Sequence, residues 1–284
     1  MTAHTSKHGK TTFMGTMTLA LSLTASLAPA ALTTGPQVLI NDPFADGSLN
    51  KTGAQYAQWY FVNTSTAGTS WNTVTDNTAP LSGTTMQNPA GGANNTIAVA
   101  QWNQVTLGGI GNFIQVSFDL RNNSTPTVGA VQFSLCDSQG TSLSANSFGN
   151  TATLDNDNGY GFYKNNAAGT GFAYTEILNG LPTHFSQTDT INWANTNVHH
   201  VILRLTLTAT GVQQDAEIDG IALASRTDTT PLTYSFDTLV LSDNASSQVR
   251  VDNFLVSVPE PSVGLLLGCG ALAVWGRKRR RQHP

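Results

Sequence analysis

Basic residues are nearly missing from the middle of this chain. Of its 13 lysines and arginines, Lys7 and Lys10 stand near the start and five crowd into residues 277–281. Residues 31–257 therefore hold six basic side chains against sixteen acidic ones, a net charge of −10, where the whole 284-residue chain carries −4. Such a body is a poor partner for nucleic acid, whose binding rests on neutralising phosphates with Lys and Arg. It suits a soluble body that attracts cations such as calcium. Cysteine is down to Cys136 and Cys269. Long apolar runs are missing too: the one at 263–275 has 13 residues. No HExxH, CxxC or GxSxG occurs, and no glycine-rich phosphate loop precedes a helix. No segment of the body sustains a helical period beyond about two turns.

The two ends differ from this body. Residues 1–30 have the layout of a secretory signal peptide: basic Lys7, His8 and Lys10, a mostly apolar and small stretch over 13–27, and Ala28-Pro29-Ala30 as a cleavage site with alanines at the two small positions. No acid occurs before Asp42. Export with a mature chain starting near Ala31 is the expectation, and an amphipathic first helix is the alternative.

The C-terminus, 258–284, reads VPEPSVGLLLGCGALAVWGRKRRRQHP. Its apolar run carries Val263, Leu265, Leu266, Leu267, Leu272, Val274 and Trp275. As a helix the run is about 20 Å long, against about 30 Å of bilayer hydrocarbon. Gly264, Gly268, Gly270 and the adjoining Gly276 weaken it further as a helix. Arg277, Lys278, Arg279, Arg280 and Arg281 follow directly, and cations in that position hold their end on the cytoplasmic side with the body outside. The order of Val258-Pro259-Glu260-Pro261, a short glycine-containing apolar run and a terminal arginine cluster resembles a PEP-CTERM sorting signal. The resemblance implies that Pro259-Glu260-Pro261 marks the recognition region for a membrane-embedded sorting protease of the exosortase type. It also implies transient anchoring by the short C-terminal transmembrane helix, a Gram-negative host that makes exopolysaccharide, and a mature protein at the cell surface or in the extracellular matrix. A plain tail anchor is the alternative.

Between these ends lies one expected domain, 31–257, with no Pro/Ser linker or charge block to divide it. Its main signal is alternation. Ile114, Val116, Phe118 and Leu120 share one face, with Gln115, Ser117 and Asp119 on the other. Val201, Leu203, Leu205 and Leu207 do the same, opposite Arg204, Thr206 and Thr208, with Ile202 the exception. Ile97 and Val99 fall together. Further strands are expected at 37–41, 58–63, 130–137, 160–164, 171–178, 232–241 and 248–257, separated by NNSTPT, DNDNG, NNAAGTG and SDNASS. These half-buried strands predict an all-β, two-sheet antiparallel jelly-roll sandwich. Over 199–257, the strand HHVILRLTLT, then DAEIDGIAL, YSFDTLVL and VRVDNFLVS together resemble the end of a concanavalin A-like, laminin-G-like sandwich. In that resemblance Asp219-Gly220 is a hairpin turn and Asp252-Asn253 sits just before the last strand. Another sandwich, such as a carbohydrate-binding-module type, is the alternative.

The chemistry on offer is thin. DAEIDGIAL matches the first half of the E-x-D-x-x-E strand of laminarinase-type retaining glycosidases through Glu217, Ile218 and Asp219. Ala222 stands where the second glutamate belongs, so one of the two carboxylates a retaining mechanism needs is missing. No catalytic residue is assigned, and a polysaccharide-active enzyme remains the alternative to a non-enzymatic, carbohydrate-binding or purely structural glycosylated matrix protein. Asp155 and Asp157, with Asn156, Asn158 and Gly159, form an oxygen-rich loop that suits calcium or a plain turn; no other cofactor is expected. His199 and His200 are adjacent, so on a strand they point to opposite faces and do not readily share an ion. His184 is isolated. Cys136 is expected to be a buried, inert thiol, its face undecided. Trp59, Tyr60, Trp71, Trp102 and Trp193 supply either a sugar-stacking platform or core packing.

Overall fold

The computed structural model describes residues 37–49, 57–63, 71–81, 83–88, 97–124, 130–148, 154–165, 171–192, 195–243 and 248–259. The cleavage site at Ala28 and Ala30, Trp193, and the tail from Glu260 onward, with its apolar run and basic cluster, lie outside them. The described residues form seventeen strands: β1 Gln37–Asp42, β2 Trp59–Asn63, β3 Asn72–Asp76, β4 Gly83–Gln87, β5 Ile97–Thr106, β6 Phe113–Asn122, β7 Ala130–Asp137, β8 Ser147–Phe148, β9 Asn158–Asn165, β10 Phe172–Leu178, β11 Leu181–Gln187, β12 His199–Thr208, β13 Gly211–Ile218, β14 Ile221–Ala222, β15 Arg226–Asp228, β16 Ser235–Asp243 and β17 Val249–Val258. Among the described residues no helix is long and apolar enough to cross a membrane.

Two sheets stack face to face. The first runs β14-β13-β12-β6-β17-β4-β3, with β1 also on β17 and β15 also on β13. The second runs β11-β10-β9-β7-β16-β5-β2-β8. Pairing is antiparallel throughout except for the short β2–β8 contact, so the all-β two-sheet sandwich read from the alternation is the fold.

The alternation sets the core. Ile114, Val116, Phe118 and Leu120 of β6 and Val201, Leu203 and Leu205 of β12 face Phe133, Leu135, Phe162, Leu239 and Leu241 of the second sheet, all of them buried. Aromatic rings join the layers: Phe118 meets Phe133 edge-on at 4.9 Å and stacks on Phe254 at 4.7 Å, and Phe254 lies 5.0 Å from Trp59. Trp59 and Trp71 are thus core residues rather than a sugar platform. Trp102 is partly buried against the same core.

Several expectations change. The strand expected from residue 232 starts at Ser235, because Thr233 Oγ1 takes the Ser235 N–H at 3.0 Å and turns the chain there. Asp252-Asn253 lies inside β17 rather than before it. The pair occupies a bulge where the register against β6 shifts between Asp252 and Leu255, with Asn253 at φ 54°. Asp219 (φ 54°) and Gly220 (φ 78°) do form the two-residue hairpin turn, joining β13 to β14. The larger departure concerns a polar face, since β6 of the first sheet is not half-buried. Gln115, Ser117 and Asp119 point away from the core yet are 1%, 5% and 6% exposed.

Candidate functional site

That buried polar face is the candidate site. Direct cross-strand partners share a face, so register defines it: His200 opposite Asp119, Ile202 opposite Ser117 and Arg204 opposite Gln115 between β12 and β6. Glu217 and Asp215 stand opposite Ile202 and Arg204 on β13. Arg250 and Asp252 of β17 stand opposite Arg121 and Asp119, and Gln87 of β4 stands opposite Arg250. Long side chains lie across the short ones and bond them. Arg204 donates through Nε and Nη2 to Gln115 Oε1 at 2.9 and 2.6 Å, with its guanidinium 4.3 Å from the Phe113 ring centre. Asp119 takes the His200 ring at 2.7 Å and the Asn253 amide at 2.8 Å. The Asn253 bulge aims that amide at Asp119, which a regular strand would not do.

At the other end Asp76 gathers two guanidiniums, Arg250 Nη1 at 2.8 Å and Arg121 Nε at 2.9 Å, while Arg250 Nε donates to Gln87 Oε1 at 2.7 Å. Burial alone would raise the Asp76 carboxyl, but the Arg250 bond, the Thr78 donors and the Arg121 charge hold it below the usual carboxylate range. The bond to Asp119 raises His200 above the ordinary histidine value; burial opposes this, and the charges of Asp119, Glu217 and Asp219 reinforce it. Burial lowers Arg204, against the pull of Asp215 and Glu217. The face therefore presents planar guanidinium, imidazole, amide and carboxylate groups already held in place, with Ile202 and Phe113 as its apolar ground.

The structure separates other residues that the sequence suggested together. Asp219 sits in the turn and accepts from His200 N at 2.8 Å, with its second oxygen 2.7 Å from His199 Nδ1; it does not line up with Glu217. Ala222, paired with Glu217 on β14, brings no carboxylate. His199 is buried and the His200 side chain is 48% exposed, on opposite faces as expected. His184 lies on β11, 3.1 Å from Thr175 Oγ1. Asp155 is exposed and Asp157 is 2% exposed, so the two do not share one environment. Cys136 is a buried free thiol on the face of Ser134, opposite Phe133 and Leu135; burial and the charges of Asp157, Asp237 and Asp137 push it well above its usual value. Val258 ends β17, and Pro259 follows it half-buried.

Comparison with known proteins adds the fold's relatives. No protein-family model and no curated protein matches the chain. Among solved structures, a Bacillus subtilis protein with a galectin-like fold is similar over 81% of this chain and 99% of its own, at a TM-score of 0.52 and 11% identity. A carbohydrate-binding module from Bacillus subtilis covers 70% of this chain and 95% of its own, at a TM-score of 0.42 and 11% identity. The lectin UEA-II complexed with galactose covers 71% and 92%, at 0.44 and 9%. The first of these likenesses makes the body a galectin-like sandwich. At this identity it speaks of the fold alone.

Proposed function

We propose that this protein is an exported, non-enzymatic glycan-binding module of the cell surface or extracellular matrix, with its glycan site on the outer face of the first sheet. The observation that carries this reading is the row His200, Asp119, Arg204, Gln115 and Glu217, set on adjacent strands of one face. A sugar offers hydroxyls that both donate and accept. Fixed guanidinium, carboxylate, imidazole and amide groups over an apolar ground meet that chemistry at low entropic cost. The site recruits a neutral or anionic glycan rather than nucleic acid, since its cations are matched by acids. Hydrolysis is disfavoured by Ala222 and by the commitment of Asp219 to the histidine turn.

Delivery follows from the ends of the sequence. We read residues 1–30 as the export signal and 258–284 as the PEP-CTERM sorting segment, handed to an exosortase-type protease after transient insertion. The arrangement of β17 supports this. Its pairing with β1 reaches Val258, opposite Gln37, so a cut beyond Pro259 leaves every rung of that strand in place.

The test of the binding reading is a glycan array on the full chain, including exopolysaccharide of its host, followed by calorimetry on the glycans it retains. Arg204→Ala and Glu217→Gln are expected to weaken binding at least tenfold with the unfolding midpoint nearly unchanged. Wild-type affinity in Arg204→Ala would move the site elsewhere. Release of reducing sugar that vanishes in Glu217→Gln would replace the module with a glycosidase.

A further inference from the structure

We propose that Asp157 and Asp237 are the carboxylate ligands of a calcium site beside Ser138 and Asn156. This site lies on the outer side of the second sheet, and it does not depend on the glycan reading.

The unexplained group is Asp157. It is 2% exposed, and neither carboxylate oxygen has a hydrogen-bond partner. A buried carboxylate with no donor is costly, and buried polar groups in native proteins almost always find a partner. What surrounds it is more acid. Asp237, at the register shift of β16, accepts from Ser138 N and Ser138 Oγ, both at 2.8 Å, and from Thr238 Oγ1 at 2.9 Å. The carbonyl of the same Ser138 takes the Asn156 amide at 3.2 Å, and that amide also reaches Thr141 Oγ1 at 2.9 Å. This chain of bonds holds Ser138, Thr141 and Asn156 together beside Asp237, and Asp157 directly follows Asn156. Burial, with the charges of Asp237 and Asp137, pushes the Asp157 carboxyl up to about 7. Asp137 itself is occupied by Gln104 Nε2, Gln139 N and Thr233 Oγ1. Among the described residues no Lys or Arg pairs with any of the three aspartates.

A hard cation answers this arrangement. Calcium takes six to eight oxygens in irregular geometry and mixes carboxylates with carbonyl, amide and hydroxyl oxygens. Asn156 uses its nitrogen on Ser138 and Thr141, which leaves its amide oxygen as an acceptor. Among the described residues no three His, Cys, Asp or Glu side chains converge closely enough to hold an ion by themselves. Neutral oxygens therefore complete the shell. The Cys136 thiol beside it, held protonated by burial, does not suit a soft-metal alternative. The bound charge would fasten Asp157, directly before β9, to Asp237 of β16.

Thermal unfolding of the full chain in chelator and in about 10 mM calcium tests the site. Calcium is expected to raise the wild-type midpoint by about 5 °C or more. Asp157→Asn and Asp237→Asn are expected to abolish the rise, and Asp155→Asn to keep it. Two results would overturn the proposal: no rise in the wild type, or an equal rise in Asp157→Asn. If neither variant folds, equilibrium dialysis of the wild-type chain decides, with at least one calcium bound per chain expected and none overturning it. A wild type indifferent to calcium, with Asp157→Asn more stable than it in chelator, identifies Asp157 as a buried neutral acid instead.

Discussion

The His200 ring on β12 meets the Asp119 carboxylate of β6 through Nδ1 at 2.7 Å, directly across the strand pair. Because the pairing raises His200, it binds its proton more tightly folded than unfolded. Its contribution to stability is therefore complete below the ordinary histidine value of about 6.5 and is lost as the pH rises through the raised value. The stability gap between wild type and His200→Ala, measured by urea unfolding, is expected to shrink from about pH 5.5 to about pH 8.5. A gap that widens with pH would mean that His200 is held neutral. Its half-exposed position keeps the effect modest.

Lys164 is the one fully buried cation among the described residues, its Nζ 2.7 Å from Asp189 Oδ2 and 3.1 Å from the Ile191 carbonyl. Removing one member of such a pair leaves the other charge uncompensated. Lys164→Ala is expected to cost about 3–5 kcal/mol in denaturant unfolding, and the double change Lys164→Met with Asp189→Leu much less. Equal losses would show that the packing of the stem, and not the charge, is what matters.

Phe118 touches both Phe133 of the second sheet and Phe254 of its own. Phe118→Ala is expected to destabilise by about 3–5 kcal/mol, with the glycan affinity of the remaining folded fraction unchanged. A loss of affinity in excess of the unfolded fraction would show that the core sets the geometry of the outer face.

The sorting reading predicts a mass. Protein recovered from the medium of its own host is expected to begin near Ala31 and to end near residues 259–261. Surplus mass would report glycosylation. A chain in the membrane fraction that still carries Val263 through Trp275 would make the tail a permanent anchor.

Alternation made the inward faces of β6 and β12 legible, because a buried strand face must be apolar at every second residue. The same rule puts Lys164 on the face of Tyr160 and Phe162, but nothing local names Asp189 as its ion-pair partner. One hairpin carries its signal only in the turn. Asn179-Gly180, with φ of 50° and 73°, joins β10 to β11, but LPTHFSQ lacks an apolar face because it is an exposed edge strand. Strands β3, β4 and β15 are short: β4 and β15 take their ladders from the longer β17 and β13, and β3 pairs in turn with β4.

By itself the sequence determined which residues turn inward and where the β13–β14 hairpin turns, since each of these depends on neighbours within a few positions. Only the tertiary structure decided that Gln115 bonds Arg204 and Asp119 bonds His200, and that the buried Asp157 feels the charge of Asp237. Those pairings span tens of residues along the chain. They depend on strand register and on a bulge at Asn253, and a register one residue away would have turned every one of these side chains to the other face.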